Sequence, residues 1–207
     1  MSRLITRYNA AERINHWVVA ICFILLAISG LALFYPAFFW LTGIFGTPQL
    51  ARILHPFVGV LMVAGFARQF LRYWRHNLVN HEDIRWMLAV RQALVGDEVG
   101  DTGKYNGGQK GMFWVMTLCL LVMLMTGVIM WRPWFAGYFP IPLVRVALLC
   151  HAWAALILIA SIIVHIYAAF WVKGTISAMV EGKVSPAWAR KHHPAWYREV
   201  SEKADQS

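Results

Sequence analysis

The chain has 207 residues, of which 59% are hydrophobic and only 14% charged, and its mean hydropathy is +0.54. A soluble domain carries about 25% charged residues, and one small water-facing core cannot hide this much apolar side chain; a disordered chain, a nucleic-acid-binding domain and a disulfide-stapled secreted domain all fit poorly. The net charge of +9 is read instead as the basic flank of a membrane protein.

Four stretches are apolar enough to cross a hydrocarbon core of about 30 Å, which takes about 20 residues. They fall near residues 15–35, 53–74, 111–131 and 144–172. In lipid a lone segment must satisfy its own backbone, so each is expected to be a helix. The first is too long for a cleaved signal peptide and lacks a small-residue cleavage site. Pro56 is expected in the first turn of span two, where a missing N–H costs nothing. Within span two, Arg68 and Gln69 break the apolar run. Arg68 either snorkels to the interface or meets a propionate or a partner.

Between spans two and three, residues 75–110 hold a stretch (81–98, HEDIRWMLAVRQALVGDE) that reads as a short amphipathic helix on the cytoplasmic membrane surface. Its apolar residues Ile84, Met87, Leu88 and Leu94 fall mostly to one side, and Asp83 supplies charge at its start. A Gly-rich turn, GDTGKYNGGQKG, leads into span three. The tail, 173–207, is basic and aromatic, broken by Pro186 and Pro194. The whole is taken as one membrane domain over 1–207.

Fifteen basic residues flank the spans on one side: Arg3, Arg7 and Arg13 before span one, six from Arg72 to Lys110, and six in the tail. The opposite loops hold three, Arg52, Arg132 and Arg145. This asymmetry places both termini and the middle loop in the cytoplasm.

The chain has eight histidines. His76, His81, His192 and His193 are expected to be solvated or interfacial. The other four lie in spans: His16 at the cytoplasmic start of span one, His55 at the outer start of span two, His151 and His165 on span four. The last two are 14 residues apart, so they share a helical face about 21 Å apart. Since spans one and two run in opposite directions, His55 matches His151 in depth near the outer side, and His16 matches His165 deeper toward the cytoplasm. A histidine hydrogen-bonded to a neighbouring helix accounts for any single one. Four matched in depth suit two six-coordinate haem irons, each taking two neutral imidazoles. Zinc, with two ligands per depth, is short of its usual set. Cys22, Cys119 and Cys150 lie singly in apolar runs, and no Cys-x-x-Cys-His is present, so covalent haem attachment lacks its ligands. Gly30, Gly59, Gly65 and Gly127 permit close approach, of a helix or of a flat ligand. The turn Asn106-Gly107-Gly108-Gln109 reads equally as a helix start or as a contact for a quinone carbonyl.

The runs ERINHW (12–17), FGTPQLARILHPFVG (45–59), DTGKYNGGQK (101–110), GVIMWRP (127–133), HIYAAFWVKGTI (165–176) and ARKHHPAWYREV (189–200) resemble the cytochrome b556 (gamma) subunits of respiratory, membrane-bound formate dehydrogenases. The resemblance runs over nearly the whole chain. It implies an all-α bundle of four transmembrane helices with two b haems, in the bacterial inner membrane. The outer haem's ligands map onto His55 and His151 and the inner haem's onto His16 and His165. A menaquinone pocket maps onto Asn106, Gly108 and His165, with Gln109 as a neighbour; the residues leave menaquinone and ubiquinone open. The implied partners are an iron–sulfur (beta) subunit with one transmembrane helix and a molybdenum or tungsten catalytic (alpha) subunit, which oxidises formate, assembled as a trimer of heterotrimers. This chain would then be the electron-transfer subunit in anaerobic formate metabolism. Two rivals stand: the di-haem cytochrome of a nickel–iron hydrogenase or thiosulfate reductase, and, more distantly, a membrane scaffold without redox function.

Overall fold

The computed structural model describes residues 4–95, 100–132 and 134–205; the side chains of residues 93–95 and 205 fall outside it. Arg3, residues 96–99 of the expected amphipathic helix, the Leu94 side chain and Pro133 therefore lie outside the described residues.

Four long helices dominate: α1 (Ala10–Phe34), α2 (Pro48–Tyr73), and, after two short helices α3 (His81–Leu88) and α4 (Val90–Val95), α5 (Gly107–Met130) and α6 (Ile141–Trp171). All four are long and apolar enough to cross a membrane. At most 28% of the apolar window of any of them is buried within the chain, so most of their side chains need an apolar solvent. The tail forms α7 (Thr175–Val180), α8 (Pro186–His192) and α9 (Pro194–Asp205), and a two-residue antiparallel ladder joins β1 (Ile5–Thr6) to β2 (Lys183–Val184).

Each long helix begins three to five residues before the start read from hydropathy, and for α1 and α5 the cap lies in the polar flank. Asn9 accepts from the Glu12 N–H at 2.9 Å while Glu12 accepts from the Asn9 N–H at 2.9 Å. The same reciprocal box recurs at Asn80 and Asp83 for α3 and at Asn106 and Gln109 for α5. Each satisfies two helix-start donors. The early start of α2 corrects the reading of Pro56. It lies inside the helix, where it cannot donate to the carbonyl of Arg52 one turn earlier. The expected amphipathic helix is likewise not continuous: α3 ends at Leu88, and Ala89 separates it from α4. Pro186 and Pro194 start α8 and α9 rather than break the tail, since proline suits the first turn.

The chain packs as two compact units. The bundle unit comprises residues 14–71 and 115–164. Its core gathers Val19, Cys22 and Leu26 from α1, Met62 and Phe66 from α2, Cys119 and Leu120 from α5, and Leu158 from α6. A Cβ on Gly65 would stand 2.8 Å from Val19 Cγ2, and the Asn15 side chain donates to the Gly65 carbonyl at 2.9 Å. Gly65 thus serves helix packing rather than a ligand slot. Arg68 is exposed on α2.

The mixed unit comprises residues 1–13, 72–114 and 165–207. Ala178, Val184, Ala189 and Trp196 form its apolar core. Two buried cations organise it. Lys110 pairs with Asp83 at 2.7 Å, with side chains 8% and 6% exposed, and also donates to the Leu78 carbonyl. Arg7, 5% exposed, lies among the rings of Tyr8, Tyr105, Trp188 and Trp196. It donates to the Lys104 carbonyl at 2.7 Å and approaches His193 Nε2 at 3.1 Å. The other ring nitrogen of His193 lies 2.8 Å from the Gly103 carbonyl and must carry the proton, which leaves Nε2 to accept from Arg7. His193 is 2% exposed, which corrects its placement among the solvated histidines.

Two outcomes follow from these buried groups. Lys110→Met strands Asp83 and is expected to destabilise the protein by about 3–5 kcal/mol; thermal unfolding in detergent reads it, and Lys110→Met with Asp83→Leu should recover much of the loss. Burial, then the neighbouring Arg7, holds His193 down to about 3. Its contribution to stability is therefore complete above the ordinary histidine pKa of about 6.5 and is lost as pH falls from there through about 3, because the unfolded state binds the proton first. Hydrogen exchange of residues 5–8 and 183–196, corrected for intrinsic pH dependence, should show protection falling in that window. Exchange that stays flat down to pH 4 contradicts the assignment.

Candidate functional site

Within the bundle unit, α2 and α6 bring His55 and His151 together. Their ring centroids stand 6.4 Å apart and the ring planes are tilted by 58°. The rings do not stack. A metal–imidazole bond is about 2 Å and a ring nitrogen sits roughly 1 Å from its ring centre, so one metal facing both rings would separate the centroids by about 6 Å. The observed spacing fits.

Hydroxyls from the other two helices fix the rings. Ser29 on α1 donates to the Leu25 carbonyl at 2.8 Å and lies 2.7 Å from His55 Nδ1. Thr126 on α5 donates to the Val122 carbonyl at 2.6 Å and lies 2.9 Å from His151 Nδ1. Each hydroxyl spends its one proton on its own helix, so it accepts from the ring; the Met123 carbonyl is a second acceptor at His151. Both Nδ1 atoms therefore carry the proton, and both Nε2 atoms keep the lone pair that binds metal. Such outer partners orient a ligating imidazole and raise its basicity.

The glycine after each hydroxyl completes the arrangement. A Cβ on Gly30 would lie 3.5 Å from His55 Cε1, and one on Gly127 would lie 3.6 Å from His151 Cε1. The Ser29-Gly30 and Thr126-Gly127 dipeptides, one opposite each histidine, were visible in the sequence only as glycines in spans. A hydroxyl–glycine step on each of the two helices without an outer histidine is the signal that hydropathy passes over.

Two apolar cavities, of about 260 and 450 Å³, adjoin the pair. The first is walled mainly by α2 and α5, including Gly59, and the second mainly by α1 and α6. They share Leu26, His55, Met62, Met123, Met130 and His151. A flat ligand entering both would pass between the two imidazoles. Small-molecule sites run about 300–1,000 Å³, so the space suits a macrocycle. Among the described residues no group of three or more His, Cys, Asp or Glu side chains comes together. A porphyrin, which brings four nitrogens of its own, matches a site offering two.

The remaining predicted residues are placed separately. His16, half-buried on α1, belongs to the bundle unit, and His165 on α6 belongs to the mixed unit. Asn106 and Gln109, both half-buried in the mixed unit, use their side-chain oxygens on each other's backbone N–H, at 2.9 and 3.0 Å. Their carboxamide NH₂ groups remain the donors for any ligand. Gly108 is exposed, and a Cβ there would stand 2.8 Å from the Trp86 ring. The neighbouring Lys104 lies against Tyr8, Tyr73 and Tyr105. Burial, more than the opposing Glu12, makes its ammonium easier to deprotonate than a free lysine.

Two imidazoles with Nε2 lone pairs available, facing across an apolar slot in a four-span bundle, are the arrangement of a b-type membrane cytochrome. The sequence profile of prokaryotic cytochrome b561 matches residues 7–182. The chain belongs to that family, and family membership implies haem b. It is similar to the formate dehydrogenase cytochrome b556(fdo) subunit of Escherichia coli (strain K12), with 60% identity over 196 residues, 95% of this chain and 93% of that protein. It is also similar to the nitrate-inducible formate dehydrogenase cytochrome b556(Fdn) subunit of the same strain, with 52% identity over 206 residues, 99% and 94% of the two chains. The formate dehydrogenase cytochrome b556 subunit of Haemophilus influenzae is 51% identical over 197 residues, 94% of this chain and 83% of that protein.

Ser29→Ala and Thr126→Val each release one ring from its acceptor. Each is expected to weaken haem retention by about 10- to 100-fold, measured as haem per polypeptide after detergent dilution. Unchanged retention in both would remove the hydroxyls from the site.

Proposed function

We propose that this chain is the di-haem cytochrome b subunit of a formate dehydrogenase, anchoring an iron–sulfur subunit and a molybdenum or tungsten catalytic subunit to the inner membrane. The facing imidazoles of His55 and His151, each oriented by its own hydroxyl, carry the reading, together with 60% identity to a formate dehydrogenase subunit along nearly the full chain. Formate oxidation belongs to the catalytic partner.

His55 and His151 would hold one haem b near the outer side, and His16 and His165 a second toward the cytoplasm. The 14-residue step between His151 and His165 on one continuous helix, about 21 Å, supports two tiers. Haem b in these sites supplies one-electron carriage, from the periplasmic iron–sulfur subunit inward to a quinone, menaquinone or ubiquinone. Two histidines at each site would leave no vacancy for oxygen, so the chain's own ligation would favour electron transfer over oxygen chemistry.

The quinone is proposed to lie near Asn106, Gly108, Gln109 and His165. The carboxamide NH₂ of Asn106 donates to a quinone carbonyl, beside Gly108, whose missing side chain leaves room for the Trp86 ring. Lys104, easier to deprotonate than a free lysine, stands next in line to pass a cytoplasmic proton. With both termini in the cytoplasm, electrons move inward while protons are consumed inside, which builds a membrane potential. Assembly as a trimer of heterotrimers belongs to the same proposal.

Pyridine haemochrome of the purified protein should give two haems per polypeptide. His55→Ala or His151→Ala should leave one and stop electron entry. Asn106→Ala should keep both haem spectra and slow quinone reduction by at least about tenfold, the loss of one hydrogen bond of about 1.5 kcal/mol. One haem or none in the wild-type protein sinks the two-tier arrangement, and a bleached haem in Asn106→Ala sinks the quinone assignment. Co-purification of a hydrogenase large subunit would favour the hydrogenase cytochrome instead.

A further inference from the structure

The cavity walled by α2 and α5 is apolar except for its two histidines and two arginines, Arg52 and Arg132. A cation on an apolar wall is costly unless an anion meets it. The bundle unit holds four arginines, at 52, 68, 132 and 145, and no aspartate or glutamate at all. The whole chain has no acidic residue between Glu12 and Glu82, or between Asp101 and Glu181. Neither Arg52 nor Arg132 forms an ion pair among the described residues. Both are exposed at the rim of the cavity, and since the bundle unit offers them no carboxylate, an anion that meets them comes from outside that unit.

Position narrows the choice. Arg52 precedes His55 by three residues on α2, which puts both on one helical face. Arg132 follows α5 five residues after Gly127, the glycine that lies against His151. Each histidine corner thus has its own guanidinium, both on the wall of one cavity. Guanidinium is the side chain best matched to carboxylate, through paired N–H donors.

Resting on the haem reading above, we propose that Arg52 and Arg132 bind the two propionate carboxylates of the haem held by His55 and His151, and that their charge raises its reduction potential. Positive charge beside the iron favours the state with one more electron. The pair makes the outer haem a better acceptor than its ligands alone would. Arg145 on α6 comes six residues before His151 but does not line the cavity, and it is the internal control.

The test is optical redox potentiometry of the purified complex, with the outer haem identified as the component missing from His55→Ala. Arg52→Gln and Arg132→Gln should each shift that component to a lower midpoint, about a tenfold change in the reduced-to-oxidised ratio at fixed potential, which is 59 mV for one electron. Arg145→Gln should leave it in place. An unchanged midpoint in both variants with two haems retained overturns the proposal, as does an equal shift in Arg145→Gln. If the glutamine variants lose the outer haem, Arg52→Lys and Arg132→Lys decide: haem retained at a near-wild-type midpoint supports the assignment, and equal loss overturns it. The measurement is repeated in nanodiscs of phosphatidylcholine and of phosphatidylglycerol. A shift seen only with the anionic lipid assigns the arginines to an anionic headgroup and overturns the proposal. Fewer than two haems in the wild-type complex marks failure of the haem reading itself rather than of the arginine assignment.

Discussion

The bundle is organised around two imidazoles that face each other without touching. A lone polar ring among helices would normally turn to the nearest acceptor and close the gap. Here each ring already has an acceptor behind it, Ser29 for His55 and Thr126 for His151, and those hydroxyls are themselves tied to their own helices. With Nδ1 of each ring held by its hydroxyl, Nε2 of each is left for a ligand. Four helices each contribute one part, two the rings and two the hydroxyls. A Cβ at position 30 or 127 would come into ordinary contact with an imidazole, at 3.5 and 3.6 Å.

The mixed unit solves a different problem with similar means. Its buried cations, Arg7 and Lys110, are held by aromatic faces, carbonyls and one carboxylate rather than by surface ion pairs. Desolvated charge of this kind specifies an arrangement more than it stabilises one. The bundle unit carries no carboxylate, so its four arginines have no acidic partner within it, whereas the mixed unit pairs several of its charges within the chain.

Much of this was legible in the residues. Hydropathy located the four long helices, and counting along them paired His55 with His151. The starts of α1 and α5 were missed by several residues, since hydropathy reads apolar runs and not the Asn-x-x-Glu and Asn-x-x-Gln boxes that precede them. Pro56 was misplaced because α2 also begins in its polar flank, where Thr47 accepts from the Leu50 N–H. Ser29 and Thr126 went unread because a hydroxyl in a span is ordinarily satisfied by its own helix, and only three-dimensional proximity reveals a second partner. The burial of His193 was hidden because Arg7, its partner, lies 186 positions away, and no local pattern marks so distant a contact.

That separation has a consequence for biogenesis. Arg7 is translated before every long helix, yet the strand it adjoins and two of the rings around it come from residues 182–196. Its socket does not exist until translation has passed the last long helix. The N-terminal arm must wait, charged and hydrated, while every membrane segment is inserted. Closing the ladder is therefore among the final events of assembly, and a truncated chain has no means of completing it.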